Sequence, residues 1–320
     1  MTPHTPPHSL GLLLIEGFAL MSYASVIEPF RAANNLAGEE LYRWTHISVD
    51  GEPVRASNGA LFFADEQVGT STHFDTLFLF AAGDPLTFAD KPTFAWLRKI
   101  ARLGTRIAGI SGGPFLMARA GLLDGYSATI HWEHRIALQS GFPDLMIEPS
   151  LYVIDRARIT CAGGTAGLDL AIDLIERDHS PLLARRVGEW FIQTEHRNAS
   201  KPQRPSLSER FGVRDERVVR ALAVMEKAME HPSPVSEIAA AAYVSARQLE
   251  RLFHRHLGKS ISAVYLDVRL DRAAQLLHQT AASTTTIALM CGFRSASHFS
   301  TAFRRRFAIS PSHFRKQESL

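Results

Sequence analysis

Ile238-Ala-Ala-Ala-Ala-Tyr-Val-Ser-Ala-Arg-Gln-Leu-Glu-Arg-Leu-Phe253 and Ile287-Ala-Leu-Met-Cys-Gly-Phe-Arg-Ser-Ala-Ser-His-Phe-Ser-Thr-Ala-Phe303 are two versions of one pattern. Ile238 and Ala239 match Ile287 and Ala288 at an offset of 49, whereas Leu249, Phe253 and Ser260 match Phe299, Phe303 and Ser310 at 50. A single extra residue in the second turn accounts for the change. Each copy reads as a short apolar helix, a tight turn (Ala242-Tyr-Val244 or Cys291-Gly-Phe293), a polar N-cap and a second helix, which is the helix-turn-helix plan. In the first copy Leu249, Leu252 and Phe253 face a core and leave Arg247, Gln248, Glu250 and Arg251 outward, with Arg255 a turn further on. In the second, Phe299, Ala302 and Phe303 face inward and Ser297, His298 and Thr301 outward, followed by Arg304, Arg305 and Arg306. Arg and Gln suit bidentate contacts with guanine and adenine edges, and guanidinium groups just past a reading helix suit phosphates. One such helix is equally well explained as solvated surface; two basic copies in one chain favour DNA.

The charge distribution agrees. Residues 1–200 hold 16 Lys and Arg against 22 Asp and Glu, a net of −6, while residues 201–320 hold 19 against 10, a net of +9. A basic back third is suited to a polyanion. The 320 residues, 46% hydrophobic and 21% charged, form an ordinary folding composition, which excludes a disordered, collagen-like or disulfide-stapled chain. At ~100–200 residues per domain, two domains are expected. Cys161 and Cys291 fall in different halves, so an intradomain disulfide is excluded and a reduced, cytoplasmic setting is expected. The apolar run Leu10–Ile15 stops at Glu16, too short for a signal or membrane span, so no membrane partner is expected. The absence of CxxC, HExxH or an acidic calcium loop gives no support for a metal or cofactor.

In the front part, short apolar runs alternate with helical patterns. Leu10–Ile15, Trp44–Val49, Leu61–Ala64, Leu77–Phe80 and Arg106–Ile110 read as strands. Ala24–Asn35, Pro92–Leu103, Pro114–Ala120, Glu133–Ser140, Gly167–Arg177 and Leu182–Gln193 read as helices. Strands apolar at every position, such as Thr76-Leu-Phe-Leu-Phe-Ala81, are covered on both faces, so an α/β layered domain with a mostly parallel sheet is expected. Trp44, Trp96 and Trp190 are assigned to its core. The polar, Pro-bearing stretch after Glu195 reads as a linker, and no strand candidate follows Arg214.

Thr105-Arg-Ile-Ala-Gly-Ile-Ser-Gly-Gly-Pro-Phe-Leu-Met117 carries a strand into a sharp turn at Ser111 and then into a helix, like a nucleophile elbow. Ser111 is either a small residue demanded by the turn or a ligand contact. His131 and Trp132 are either pocket wall or packed core, and no carboxylate is evident to orient His131 as a base.

Residues 213–320 resemble the DNA-binding domain of the AraC/XylS family, through Ile287-Ala-x-x-Cys-Gly-Phe293, Phe303-Arg-Arg-Arg-Phe-Ala-Ile-Ser-Pro-Ser312 and the joining stretch Tyr265–Leu277. Residues 10–195 resemble the intracellular-protease-I and glutamine-amidotransferase-like superfamily, through the elbow, Gly83 and Ala162-Gly-Gly-Thr165. That superfamily normally has cysteine at the elbow; here it is Ser111 followed by Gly112. The combination resembles the GlxA family of bacterial transcriptional regulators. Glu39–Trp44, Gly121–Tyr126 and Ile130–Glu133 are similar to regulators of glycine betaine, carnitine and arginine catabolism.

The residues read as a disordered tail over 1–9 and a linker over 196–212, and the resemblance implies a glutamine-amidotransferase-like α/β ligand-sensing and dimerisation domain over 10–195 and an all-α domain over 213–320. It also implies an activator, not an enzyme, with promoter DNA, a small nitrogenous inducer, RNA polymerase and a second copy of the chain as partners. Its effector would meet Gly83, Ser111, Gly112, Gly113, His131, Trp132 and Thr165. Two other readings stay open: an amidase or deglycase-like hydrolase with a DNA-binding appendage, and a dimeric DNA-binding protein without an effector.

Overall fold

The computed structural model describes residues 6–83, 85, 87–279 and 282–317. The chain divides into two compact units, Met1–Gln203 and Arg204–Leu320.

The first unit runs β1 (His8–Leu14), α1 (Leu20–Ala37), β2 (Tyr42–Ser48), β3 (Val54–Arg55), β4 (Leu61–Phe62), β5 (Glu66–Gln67), β6 (Thr76–Ala81), α2 (Lys91–Arg102), β7 (Arg106–Ser111), α3 (Gly113–Arg119), β8 (Ser127–Ala128), α4 (Arg135–Gly141), β9 (Met146–Ile147), β10 (Tyr152–Asp155), β11 (Arg158–Cys161), α5 (Ala166–Asp178) and α6 (Pro181–Trp190). Seven strands form one sheet in the order β10-β11-β7-β6-β1-β2-β5, parallel throughout except for β10 against β11.

Alternate side chains of each central strand enter opposite layers. Leu12, Leu14, Phe78, Phe80, Ala108 and Ile110 pack with residues of α1, α5 and α6; Leu13, Leu77, Leu79 and Ile107 pack with residues of α2 and α3. Both faces are therefore dry, as the unbroken apolar runs require. The register pairs Ala81 with Ser111 and Ile110 with Cys161, so the loops leaving these strands meet at the C-terminal edge of the sheet, where open α/β sheets place their sites.

Several sequence expectations are corrected. Leu61–Ala64 is not a sheet strand: only Leu61–Phe62 is extended, in a small antiparallel pair with Val54–Arg55, and the sheet edge is Glu66–Gln67. The hairpin β10–β11 went unrecognised because Asp155, Arg156 and Arg158 interrupt its two short apolar runs. His8 and Ser9 belong to β1, paired with Tyr42 and Arg43, not to a tail; residues 1–5 lie outside the described residues. Trp96 is buried with Nε1 donating to Ser71 O at 3.0 Å, but Trp190, at the end of α6, is 53% exposed.

The second unit is entirely helical among its described residues: α7 (Leu207–Phe211), α8 (Glu216–Lys227), α9 (Val235–Ala241), α10 (Ala246–Leu257), α11 (Ile261–Gln279), α12 (Thr284–Met290), α13 (Ala296–Phe307) and α14 (Pro311–Gln317). The two helix-turn-helix units are α9–α10 and α12–α13, their second helices N-capped by Ser245 and Ser295. Tyr243 (φ 57) and Gly292 (φ 70) hold the equivalent left-handed position of the two turns. Helix α11 serves both cores, with Ile261, Val264 and Val268 in one and Leu270, Ala273 and Leu277 in the other. A Cβ on Gly292 would stand 2.6 Å from Met229 O, so the second turn abuts the chain entering the first unit of the repeat.

The stretch 196–212 is not a free linker. Arg197 and Gln203 hydrogen-bond within the first unit, and Ser206 and Glu209 close a capping box on α7. Pro and polar residues suggested a loop; side chains placed at fixed points made it ordered.

Candidate functional site

Ser111 ends β7 at φ 59, a left-handed conformation that costs a residue with a Cβ, and is buried. The turn is closed by backbone: Gly112 N donates to Ala81 O at 2.8 Å. A Cβ on Gly113 would overlap the carbonyl oxygen of Leu79, and one on Gly109 would stand 2.7 Å from Pro114 N. These glycines let α3 descend onto β6. Gly112 and Gly113 were expected to contact effector; the structure instead commits the Gly112 amide to Ala81 and presses Gly113 against β6.

Two further loops reach this edge of the sheet. Gly163 (φ 83) approaches so closely that a Cβ there would lie 2.7 Å from both Ser111 Cβ and Ser22 Oγ. Ser22 Oγ accepts from Gly164 N at 2.8 Å, and Ser25 Oγ donates to Gly164 O at 2.6 Å, which fixes that loop on α1. The other loop follows β8. Ser127 N donates to Asp155 Oδ2 and Thr129 N to Thr160 Oγ1, each at 2.8–2.9 Å, so the chain climbs beside β11 toward the edge that carries Ser111. His131 and Trp132 come next, in the turn before α4 rather than at a strand end.

His131 Nδ1 lies 3.6 Å from Glu133 Oε2. The expectation that this histidine has no carboxylate is thereby corrected; the partner is two residues away, hidden because a turn rather than a helix brings it round. Burial nevertheless lowers the His131 pKa, with Glu133 opposing. His134 is held down at about 4 by burial and then by His131. Among the described residues, no side chain hydrogen-bonds Ser111 Oγ. Gly83 (φ 65) is exposed just beyond β6. Thr165 Oγ1 accepts from Arg197 Nη2 at 2.9 Å and is thus held by the chain itself.

On α10, Arg247, Arg251 and Arg255 are exposed and, among the described residues, without an ionic partner. Two neighbours have other work. Gln248 Oε1 accepts from Ser245 N at 2.9 Å in a capping box, and Glu250 Oε2 accepts from Ile261 N at 3.3 Å while Oε1 lies 3.2 Å from His254 Nε2. Both were expected to face DNA; in the structure Glu250 caps α11, and Gln248 keeps only its amide nitrogen free. On α13, Ser297, His298 and Thr301 are exposed, with the His298 ring edge-on to Phe293 at 5.6 Å. Arg294 is also exposed, in the turn before α13.

The arginine triplet divides. Arg304, Arg305 and Arg306 are all exposed, but Arg306 is bound bidentately to Asp271 (2.6–2.9 Å) and reaches Asp267 at 2.7 Å, so it ties α13 to α11. Neutralising Arg304 and Arg305 is expected to reduce the log–log salt slope of DNA binding by ~0.9 each, and Arg306→Ala to leave it within error. Filter-binding titrations across salt concentrations check this; an equal fall for Arg306→Ala would return that residue to the interface.

Arg269 on α11, the helix that serves both cores, fastens the turn of the second helix-turn-helix: Nε donates to Cys291 O at 2.7 Å, and the guanidinium lies 4.2 Å over Phe293. Two reading helices are thereby held on one framework.

An α/β unit with an elbow at the sheet's C-terminal edge, followed by two helix-turn-helix units on one framework, defines a DNA-binding transcriptional regulator with an appended α/β domain. The DJ-1/PfpI family model matches residues 11–177, and a helix-turn-helix domain model matches residues 238–317. The chain is 43% identical to the HTH-type transcriptional regulator CdhR of Pseudomonas aeruginosa, over 94% of this chain and 89% of that one. It is 42% identical to the HTH-type transcriptional regulator GlxA of Rhizobium meliloti, over 96% and 95%. An AraC family transcriptional regulator from Pseudomonas putida superimposes with a TM-score of 0.54 at 27% identity, covering 58% of this chain and all of that one. The chain belongs to the AraC-type helix-turn-helix transcriptional regulators that carry a DJ-1/PfpI domain. No helix among the described residues is long and apolar enough to cross a membrane.

Proposed function

We propose that the front unit senses a small nitrogenous metabolite of the glycine betaine, carnitine or arginine kind, and that its occupancy activates transcription from promoter DNA gripped by the back unit. The single observation that carries this reading is Ser111: a buried serine held at φ 59 between glycines, with a hydroxyl that no described side chain engages. Glycine would adopt that backbone without strain, so the hydroxyl is retained for a contact made to something else. The Glu133 carboxylate and the Trp132 ring offer the complementary features for a cationic or quaternary nitrogen. The active form is a cytoplasmic homodimer that recruits RNA polymerase and needs no cofactor.

Hydrolysis is the second reading, favoured by the His131–Glu133 pair, which supplies a base with its carboxylate. A serine nucleophile needs that base within hydrogen-bond reach, and no such bond to Ser111 is present among the described residues. The test is a thermal-shift panel of choline derivatives, amino acids and polyamines on the full chain, repeated with Ser111→Ala. Sensing predicts a compound that stabilises wild type by ~2–3 kcal/mol at 100-fold excess over Kd, a much weaker shift in the variant, and no turnover in either. Stabilisation by none of the compounds would overturn the sensor, and turnover lost in Ser111→Ala would establish the hydrolase.

A further inference from the structure

Residues 193–203, where the chain leaves the first unit, are fastened at two points, one beside the loop whose Gly163 abuts Ser111 and one at the stretch that leads into His131. The first fastening is Asp169, on the opening turn of α5 and fully buried. Its carboxylate accepts from Gln193 Nε2 (2.7 Å), Arg197 N (2.9 Å), Arg197 Nε (2.9 Å) and Arg197 Nη2 (2.6 Å). The same Nη2 donates to Thr165 Oγ1. Thr165 ends the loop whose Gly163 abuts Ser111. The second fastening is Gln203, whose Nε2 donates to Thr129 Oγ1 (3.1 Å), Ile130 O (3.0 Å) and Ser150 O (2.7 Å). Ile130 immediately precedes His131. Between the two, Leu151 N donates to Ala199 O at 2.8 Å, laying the segment along the base of β10.

We infer that residues 193–203 form a clasp through which the effector site is coupled to the DNA-binding unit, with Arg197 and Gln203 as its positioning residues. The inference rests on the sensor reading above. A ligand that displaces Ser111 or Gly163 moves Thr165 against Arg197, and one that displaces His131 moves Ile130 O against Gln203. Either shift acts on chain that continues directly into Arg204 and the second unit. With the clasp shut, the tether is anchored at Gln203; with it open, the seven residues 197–203 join the tether and add a reach of ~3.3–3.6 Å each. In a dimer, that reach decides whether two DNA-binding units can occupy half-sites together.

The test uses the full chain and a duplex selected by the wild-type protein from random sequence, with no effector added. Gln203→Glu keeps the side chain's shape but sets a carboxylate against three oxygens; the double variant Asp169→Asn/Arg197→Gln opens the other latch without leaving a lone buried charge. Expected for both is faster amide hydrogen exchange over 193–203, unchanged exchange in β6 and β7, and a change in duplex affinity of about fivefold or more, the lower range of coupling between sites. Base preference is unaltered, because no reading residue is touched. Faster exchange with a smaller change in affinity would overturn the inference and leave the segment as packing, as would unchanged exchange in both variants. Neither readout needs an effector, so a panel in which no compound binds would overturn the sensor reading alone. Compounds that bind and induce normally in both variants would overturn the clasp alone.

Discussion

An Arg247→Ala/Arg251→Ala double variant is expected to bind its selected duplex about 30-fold to 10⁴-fold more weakly than wild type at fixed salt, ~1–3 kcal/mol for each guanidinium taken from a base edge. Both side chains are exposed near the N-terminal end of α10, the end that enters the groove in this plan. Neither is tied to a carboxylate among the described residues, so no internal ion pair must be broken before DNA is engaged. The helix that carries them is fixed by the Ser245 capping box at its start, by Gly258 in the left-handed conformation at its end, and by Leu249, Leu252 and Phe253 in the core. Truncating both arginines should therefore weaken the grip on DNA and leave the fold intact. Competition with unrelated duplex provides the check: the specificity ratio must fall along with the affinity. Equal weakening on selected and random DNA would reassign both residues to phosphates.

Gly113→Ala is expected to destabilise the first unit by ~3 kcal/mol or more, at the upper end for overpacking, because the added methyl meets backbone rather than a yielding side chain. Its Cβ would overlap Leu79 O in the middle of β6, the strand flanked by β1 and β7 in the centre of the sheet. Relief requires α3 to withdraw from β6 or β6 to leave its ladder, and either change displaces Ser111. Denaturant melts of the full chain should show the front-unit transition shifted to lower denaturant while the helical unit unfolds as before. An unshifted transition would mean that the elbow yields more readily than its packing indicates. Gly121→Ala is a useful contrast, since its Cβ would meet only the Asp124 side chain at 3.8 Å and the penalty comes from φ 69 alone.

The two predictions concern features that differ in how far they could be read from sequence. The duplicated helix-turn-helix pattern needs only neighbours three or four residues apart, so helix type, caps and inward faces followed from spacing. The outward faces did not. Glu250, Gln248 and Arg306 look like reading or phosphate-binding residues by their position on the helix. Their assignments changed because the partners of Glu250 and Arg306, Ile261 N and Asp271, are 11 and 35 residues away, while Gln248 turns back to Ser245. For the α/β unit, central strands dry on both faces were plain as apolar runs. The edge strands β5 and β10 were not, because an edge is half solvated and keeps polar residues.

By itself, then, the sequence determined a two-part chain: a mostly parallel sheet domain ending in an elbow at Ser111, and a basic domain with two reading helices. Local periodicity, caps and glycine placement encode those features within a few residues. Only the tertiary structure decided that Gly112 and Gly113 serve the backbone and that His131 has Glu133 beside it. It alone showed that Arg306 braces α13 and that residues 197–203 are fastened by Asp169 and by the Thr129–Ile130 stretch. Each of these depends on which groups meet after folding, and a hydrogen bond between residues 28 or 73 positions apart leaves no period in the chain for a reader to find.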